Sequence, residues 1–188
     1  MISVSPLHTP FARAIRFMSD SPSQFVFFTC QPGAEGALKQ ELSVRQPAWR
    51  LSFSRPGFVS FKTDGGAGEE GRLGVFARTR SVSLGRLDVN KLSEGAAALW
   101  QLPALTEMAD DQWPTTLHVW QRDTRLPGDD GFEPHVTPLA EEVRAALLQS
   151  LPTREGVKLQ ESPVARSGEK VLDIVLVEPS QWWIGWHR

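Results

Sequence analysis

Cys30, the four histidines His8, His118, His135 and His187, and several carboxylate pairs are the side chains here able to act as nucleophile, base or metal ligand. Their spacing organises none of these chemistries. The sequence has no Gly-x-Ser-x-Gly elbow, no Gly-x-Gly-x-x-Gly after a strand and no His-Glu-x-x-His. Cys30 closes a Phe- and Val-rich run, where a cysteine behaves as a small buried hydrophobe; the competing reading makes it a nucleophile with His118 or His187 as base. The histidines are dispersed, so a metal site would have to be assembled in three dimensions, and none is expected from spacing. Glu69/Glu70, Asp110/Asp111 and Asp129/Asp130 fall in loop-like sequence, and Glu141/Glu142 in the first turn of a helix, where the helix dipole favours negative charge.

Binding chemistry is better represented. Arg78 and Arg80 alternate with small residues and Arg86 follows closely, a basic ridge able to track a phosphate backbone. His118, Trp120 and Arg122 share one face of an alternating segment, with Arg125 just after. A stackable ring among hydrogen-bond donors is what single-stranded RNA recognition requires. A second reading packs Trp120 beneath the helix that follows and leaves Arg122 solvated. In the last segment Trp182, Ile184 and Trp186 fall on one strand face, and Trp183, Gly185 and His187 on the other. At least one Trp is expected in the core, with the others facing RNA or, preferably, a neighbouring domain.

Composition bounds the rest. The chain has 188 residues, 40% of them hydrophobic, enough for one large or two small cores. No run approaches the roughly 18 to 20 apolar residues of a membrane span. Arg13 and Arg16 interrupt residues 11–18, which argues against a secretory signal, and residues 1–22 read as a flexible tail. The single Cys30 excludes an intramolecular disulfide and fits a reducing, cytoplasmic setting. The net charge of −2 is divided unevenly. Through residue 92 there are 12 Lys/Arg against 7 Asp/Glu, and beyond it 8 against 15, so the first half is the better platform for a polyanion.

Positioning these residues requires two α/β units. Residues 24–30 read as a strand buried on both faces, Pro32-Gly33 as a turn, and Ala34, Ala37, Leu38 and Leu42 as the inner stripe of a helix. Trp49, Leu51 and Phe53 alternate with polar residues, Arg55-Pro56-Gly57 turns the chain, and residues 58–62 return as a hairpin. Residues 64–71 form a Gly/Glu-rich loop. Residues 75–80 and 81–87 read as two short strands, which gives a β-α-β-β-(short element)-β order, close to a ferredoxin-like sandwich, with its boundary near residue 91. Ser93 caps a helix that runs to Leu102. Residues 115–122 form a strand, 123–134 a turn-rich stretch, and Thr137-Pro138 opens a helix ended by Pro152. Residues 171–177, apolar except for Asp173, read as a central strand, followed by a turn and the aromatic segment 181–188.

Residues Phe27-Phe28-Thr29-Cys30-Gln31-Pro32-Gly33-Ala34-Glu35, the segment Gly57-Phe58-Val59-Ser60-Phe61 and Val75-Phe76-Ala77-Arg78 together resemble the N-terminal region of ribosomal RNA large subunit methyltransferase M and related FtsJ-like 2'-O-ribose methyltransferases. The family carries a Cys-Arg-Pro-Gly-Phe-Glu strand end, a Gly-Tyr/Phe-Val strand and a Phe-Ala-Arg segment in this order. Gln31 stands where the family often has Arg, and Ala34 where it has Phe, so contacts made there are not carried over. The resemblance implies an α/β (α+β) chain: a ferredoxin-like domain over residues 23–91, then a THUMP-like RNA-binding domain over 92–188. The segment 171–185 resembles the paired closing strands of THUMP. It further implies that S-adenosylmethionine binding and a Lys-Asp-Lys-Glu tetrad belong to a catalytic domain beyond Arg188.

On this reading the chain is non-catalytic by itself, binds no cofactor, and positions ribosomal RNA for a methyltransferase domain in cis or in trans. RNA contact is expected from Arg78, Arg80, Arg86, His118, Trp120, Arg122 and Arg125. The alternative is a protein-interaction module that docks a partner through its aromatic C-terminal strand. A free-standing hydrolase built on Cys30 or a histidine pair is the weakest of the three.

Overall fold

The apolar run near the start becomes β1 (Phe25–Cys30), flanked on one side by β3 (Phe58–Lys62) and on the other by β4 (Ala77–Asp88), both antiparallel to it. The computed structural model describes residues 24–64, 74–122, 137–153, 159–160 and 164–188. Expectations for the 1–22 tail, for the loop beyond Asp64 and for the turn-rich stretch 123–134 lie outside them. After β1 come α1 (Glu35–Arg45) and β2 (Arg50–Arg55), which pairs with β3. The second half adds α2 (Leu92–Trp100), α3 (Pro103–Thr106), β5 (Thr116–Gln121), α4 (Pro138–Gln149), β6 (Val171–Glu178) and β7 (Gln181–His187).

All seven strands form one sheet in the order β2-β3-β1-β4-β7-β6-β5. The chain is thus a mixed α+β fold, and its first four strands stand in the ferredoxin-like 4-1-3-2 order read from the other edge. β4 is one twelve-residue strand rather than two short ones. It needs that length because its first half pairs with β1 and its second half with β7. Residue 91, near which the boundary is expected, lies between β4 and α2.

The β1–α1 turn shows how the residues carrying the resemblance act structurally. Gly33 and Gly57 hold φ of 90° and 77°, a region that only glycine occupies freely. Both carboxylate oxygens of Glu35 accept from the Gly33 amide at 3.1 Å, and Oε1 also accepts from the Gly57 amide at 2.6 Å. One side chain therefore ties the strand-to-helix turn to the hairpin turn. Leu38 and Leu42 then bury against Val26, Phe28, Cys30, Val59 and Phe61, so Cys30 is a core residue as expected.

The hairpin departs from simple alternation. A register shift between Leu51 and Phe53 sends Trp49 to the α1 side with Phe28 and Phe61, Phe53 to the opposite side, and leaves Leu51 53% exposed. Ser93 is likewise not a cap: α2 starts at Leu92, with Lys91 in the cap position. Thr137 does cap α4, accepting from the Ala140 amide at 3.2 Å, and it donates to Gln121 Oε1 at 2.6 Å, fastening α4 to the end of β5.

On β7, Trp182 and Ile184 join the core under α2 to α4, and Trp186 packs on the core under α1. One sheet face therefore carries α1, α2 and α4, the long helices among the described residues. The other is concave. Phe53 on β2 and Trp183 on β7 are four strand spacings apart, roughly 19 Å in a flat sheet, yet their rings stack with centroids 5.4 Å apart. Phe58 approaches Trp183 to 5.0 Å, and Phe27 lies tilted to Phe58 and edge-on to Trp183, so the sheet curls around an aromatic cluster with Val175 and Val177. β7 lies inside this sheet, with Trp182 and Trp183 buried, which corrects the picture of an aromatic edge awaiting a partner.

Gly185 of β7 packs closely against β4 and the Phe27 ring. A Cβ there would meet the Phe27 ring at 2.6 Å and the Val82 carbonyl oxygen at 2.7 Å. Because one neighbour is backbone of the paired strand, it cannot yield without disturbing β4–β7. Gly185→Ala is expected to lower stability by about 1–3 kcal/mol, read as a reduced urea midpoint with an unchanged slope.

Candidate functional site

The concave face holds a polar cluster centred on Asp173, the one charged residue in the apolar part of β6. Register places His118 of β5 opposite Asp173, and Gly185 of β7 on its other side. Because Gly185 has no side chain, its neighbours close over the carboxylate. Asp173 is fully buried. An unpartnered carboxylate there would cost several kcal/mol, but its oxygens accept from Ser81 Oγ at 2.5 Å, Trp120 Nε1 at 3.3 Å and His187 Nδ1 at 2.5 Å. His118 Nδ1 stands 3.8 Å away. The two imidazoles are 6.1 Å apart between ring centres, and the His118 ring meets Trp120 edge-on.

Burial disfavours the imidazolium form of His187, yet the hydrogen bond to Asp173 and its negative charge outweigh this and raise the pKa above the ordinary histidine value. The cluster is not a Ser-His-Asp relay. The carboxylate lies between the hydroxyl and the imidazole, so Ser81 gives its hydrogen to the acid and has no base on it. Its chemistry is that of a preorganised recognition or ligand set. His118, Asp173 and His187 each offer a ligand atom within 4.8 Å of the others, the three-dimensional assembly that dispersed histidines hid in the sequence.

The residues singled out for RNA contact separate into groups. His118 and Trp120 do share the face opposite Leu117 and Val119, which pack among the helices, and both join the Asp173 cluster. Trp120 therefore does not pack beneath α4. Arg122 is held: its Nε donates to the Val177 carbonyl and its terminal nitrogen to Glu178 Oε1 at 2.9 Å, bracing the β6–β7 turn. Arg78 and Arg80 lie half-buried in the first part of β4, and the Arg80 guanidinium sits 5.9 Å from the centre of the Trp49 ring. Burial lowers the Arg80 pKa. Arg86 lies eight residues from Arg78, roughly 25 Å along a strand, and pairs weakly with Asp88 at 3.5 Å, so the three arginines do not make one ridge. Arg125 is outside the described residues. Sequence reasoning missed Ser81 and Asp173 as site members and named His187 only as a base. The available clue was the lone carboxylate in Val171-Leu172-Asp173-Ile174-Val175.

No protein-family model matches the sequence, and no curated protein matches it. Solved structures do resemble the fold. A possible methylase from Clostridium difficile 630 superimposes with a TM-score of 0.54 at 11% identity, covering 87% of this chain and 40% of that one. TrmN from Thermus thermophilus gives 0.47 at 18%, covering 86% and 44%. A predicted N6-adenine-specific DNA methylase from Listeria monocytogenes str. 4b F2365 gives 0.48 at 14%, covering 86% and 39%. At 11% identity the likeness to the possible methylase is one of fold. The chain spans less than half the length of each of these proteins. Among the described residues no helix is long and apolar enough to cross a membrane.

Two outcomes test the cluster. Asp173→Ala leaves Ser81, Trp120 and His187 facing an empty buried position, and should cost about 3 kcal/mol or more in chemical denaturation. Since the folded pKa of His187 is raised, its stabilisation is complete below the unfolded value of about 6.5 and is lost as pH rises through the folded value. Tm should therefore fall across that window on the alkaline side, and His187→Gln should flatten the decline.

Proposed function

We propose that this chain is the RNA-recognition region of an S-adenosylmethionine-dependent methyltransferase system, with a ferredoxin-like first half and a THUMP-like second half. It holds RNA while a catalytic domain, in cis or in trans, carries the cofactor and the chemistry. The observation that carries this reading is the fold likeness to a possible methylase, in which this chain corresponds to only 40% of the longer protein. The motif resemblance in residues 27–35, 57–61 and 75–78 adds the finer statement that the target is ribosomal RNA and the modified group a ribose 2'-hydroxyl.

Two surfaces support RNA contact. At the start of β4, Arg80 stands next to Trp49, with Arg78 two residues away on the same strand, within the more basic half of the chain, combining phosphate neutralisation with an aromatic plane. On the concave side Trp120 is fixed by its hydrogen bond to Asp173, and the His118 ring packs edge-on against it, so the pair is held before any ligand arrives, which reduces the ordering cost of binding. Arg122 adds a cation just after β5, its charge shared with Glu178, and Arg125 is proposed as a contact from the sequence alone. Arg86 serves as a separate contact at the far end of β4. The reading places the protein in the cytoplasm, where ribosomal RNA and reduced cysteine coexist.

The test is binding of a structured ribosomal RNA fragment over a salt series, followed by fluorescence anisotropy. Affinity should fall linearly with log salt, and each of Arg78, Arg80, Arg86, Arg122 and Arg125 that meets a phosphate should reduce the slope by about 0.7 when changed to Gln. Calorimetry on the chain alone should register no S-adenosylmethionine binding. Unchanged RNA affinity and slope in the five-fold variant would remove this surface from consideration.

A further inference from the structure

We propose that His118, Asp173 and His187 form a binding site for a divalent transition-metal ion of the zinc class. The three come from adjacent strands β5, β6 and β7 and converge on the concave side of the sheet, with one ring nitrogen of each histidine and a carboxylate oxygen of Asp173 mutually within 4.8 Å. Bonds of about 2.0–2.2 Å in a tetrahedral site place ligand atoms roughly 3.3 Å apart. The contacts of Asp173 with His187, at 2.5 Å, and with His118, at 3.8 Å, lie on either side of that spacing. Small side-chain rotations therefore suffice to admit an ion in place of the hydrogen bond.

Ligand type selects the ion. Two imidazoles and one carboxylate suit Zn(II), Co(II) or Ni(II), whereas magnesium and calcium favour all-oxygen shells. The outer shell is also in place. Ser81 Oγ and Trp120 Nε1 each hold an oxygen of the Asp173 carboxylate, the kind of support that fixes a ligating carboxylate. Asp173 is wholly buried, while the His118 and His187 side chains retain 17% and 27% of their exposure, so the site is closed behind and open in front. A water or an anionic oxygen donor can complete the coordination there. An ion in this position would join three strands through side chains as well as through backbone hydrogen bonds.

Co(II) and Zn(II) titrations of the whole chain, prepared metal-free, decide the matter. One equivalent of Co(II) should produce the visible absorption of a four-coordinate site, and Zn(II) should displace it. In the NMR spectrum of the wild-type protein the imidazole signals of His118 and His187 should shift with Zn(II), while those of His8 and His135 serve as internal controls. His118→Gln and His187→Gln should each weaken Co(II) binding at least tenfold, and Ser81→Ala should weaken it about tenfold through the carboxylate. Absence of the Co(II) absorption, or its appearance without movement of the His118 and His187 signals, would show the trio to be a hydrogen-bonded ion pair only. The wild-type spectra read the outcome even if a variant fails to fold.

Discussion

Contact between Trp183 and the rings of Phe53, Phe58 and Phe27 is the interaction on which the remainder of this architecture depends. Those rings belong to strands spread across the sheet, and bringing them together forces the sheet to curl. Right-handed twist alone rotates neighbouring strands by about 20–25°; burial of a shared aromatic cluster turns that tendency into a defined concavity. Aromatic pairs add about 0.5–1.5 kcal/mol each beyond the area they bury, so a connected set of four is a substantial local reinforcement. The second approach across the gap, Arg55 to Glu178 at 3.9 Å, is solvent-exposed and contributes little energy, though it follows the same curvature.

Concavity in turn explains the polar cluster. On a flat, solvated sheet Asp173 would be hydrated and its neighbours would point outward separately. On the inner face of a curled sheet, Ser81, Trp120 and His187 lean toward one carboxylate and take the place of water. Gly185 is part of the same design, since any side chain there would collide with Phe27 and hold β7 off β4. The aromatic and polar parts of the concave face are therefore one packing solution, with the glycine as the point of closest approach.

Much of the fold was legible in local sequence because local physics decides it: the β1–α1 passage, the Thr137 cap, and the central, doubly buried character of β6 all follow from periodicity and capping chemistry. The continuous β4 was not legible, since Ala77 to Asp88 owes its length to two different partners at its two halves. The register shift beside Ser52 was hidden for a similar reason, because strict alternation of Trp49, Leu51 and Phe53 describes a strand without a bulge. For the site, the shared face of His118 and Trp120 was readable from a period of two. Their convergence with Asp173 and His187 was not, because it joins residues 55 and 69 positions apart that only the β5-β6-β7 order makes neighbours. Arg122 illustrates the converse error: a cation that looks free in sequence is held by a carbonyl and a carboxylate on another strand.

The place of β7 between β4 and β6 has a consequence for the order in which the molecule assembles. Strands β1 to β4 can pair as soon as they leave the ribosome, because each has its partner among residues already made. β5 and β6 can pair with each other, but among the described residues no backbone ladder joins them to the earlier strands directly; that pairing runs through residues 181–187. During synthesis the nascent chain thus carries two unfinished sheets, each with an open edge, until this one strand emerges and is inserted between them. Such edges invite pairing with other chains, so β7, inserted between the two, acts as the clasp that closes both.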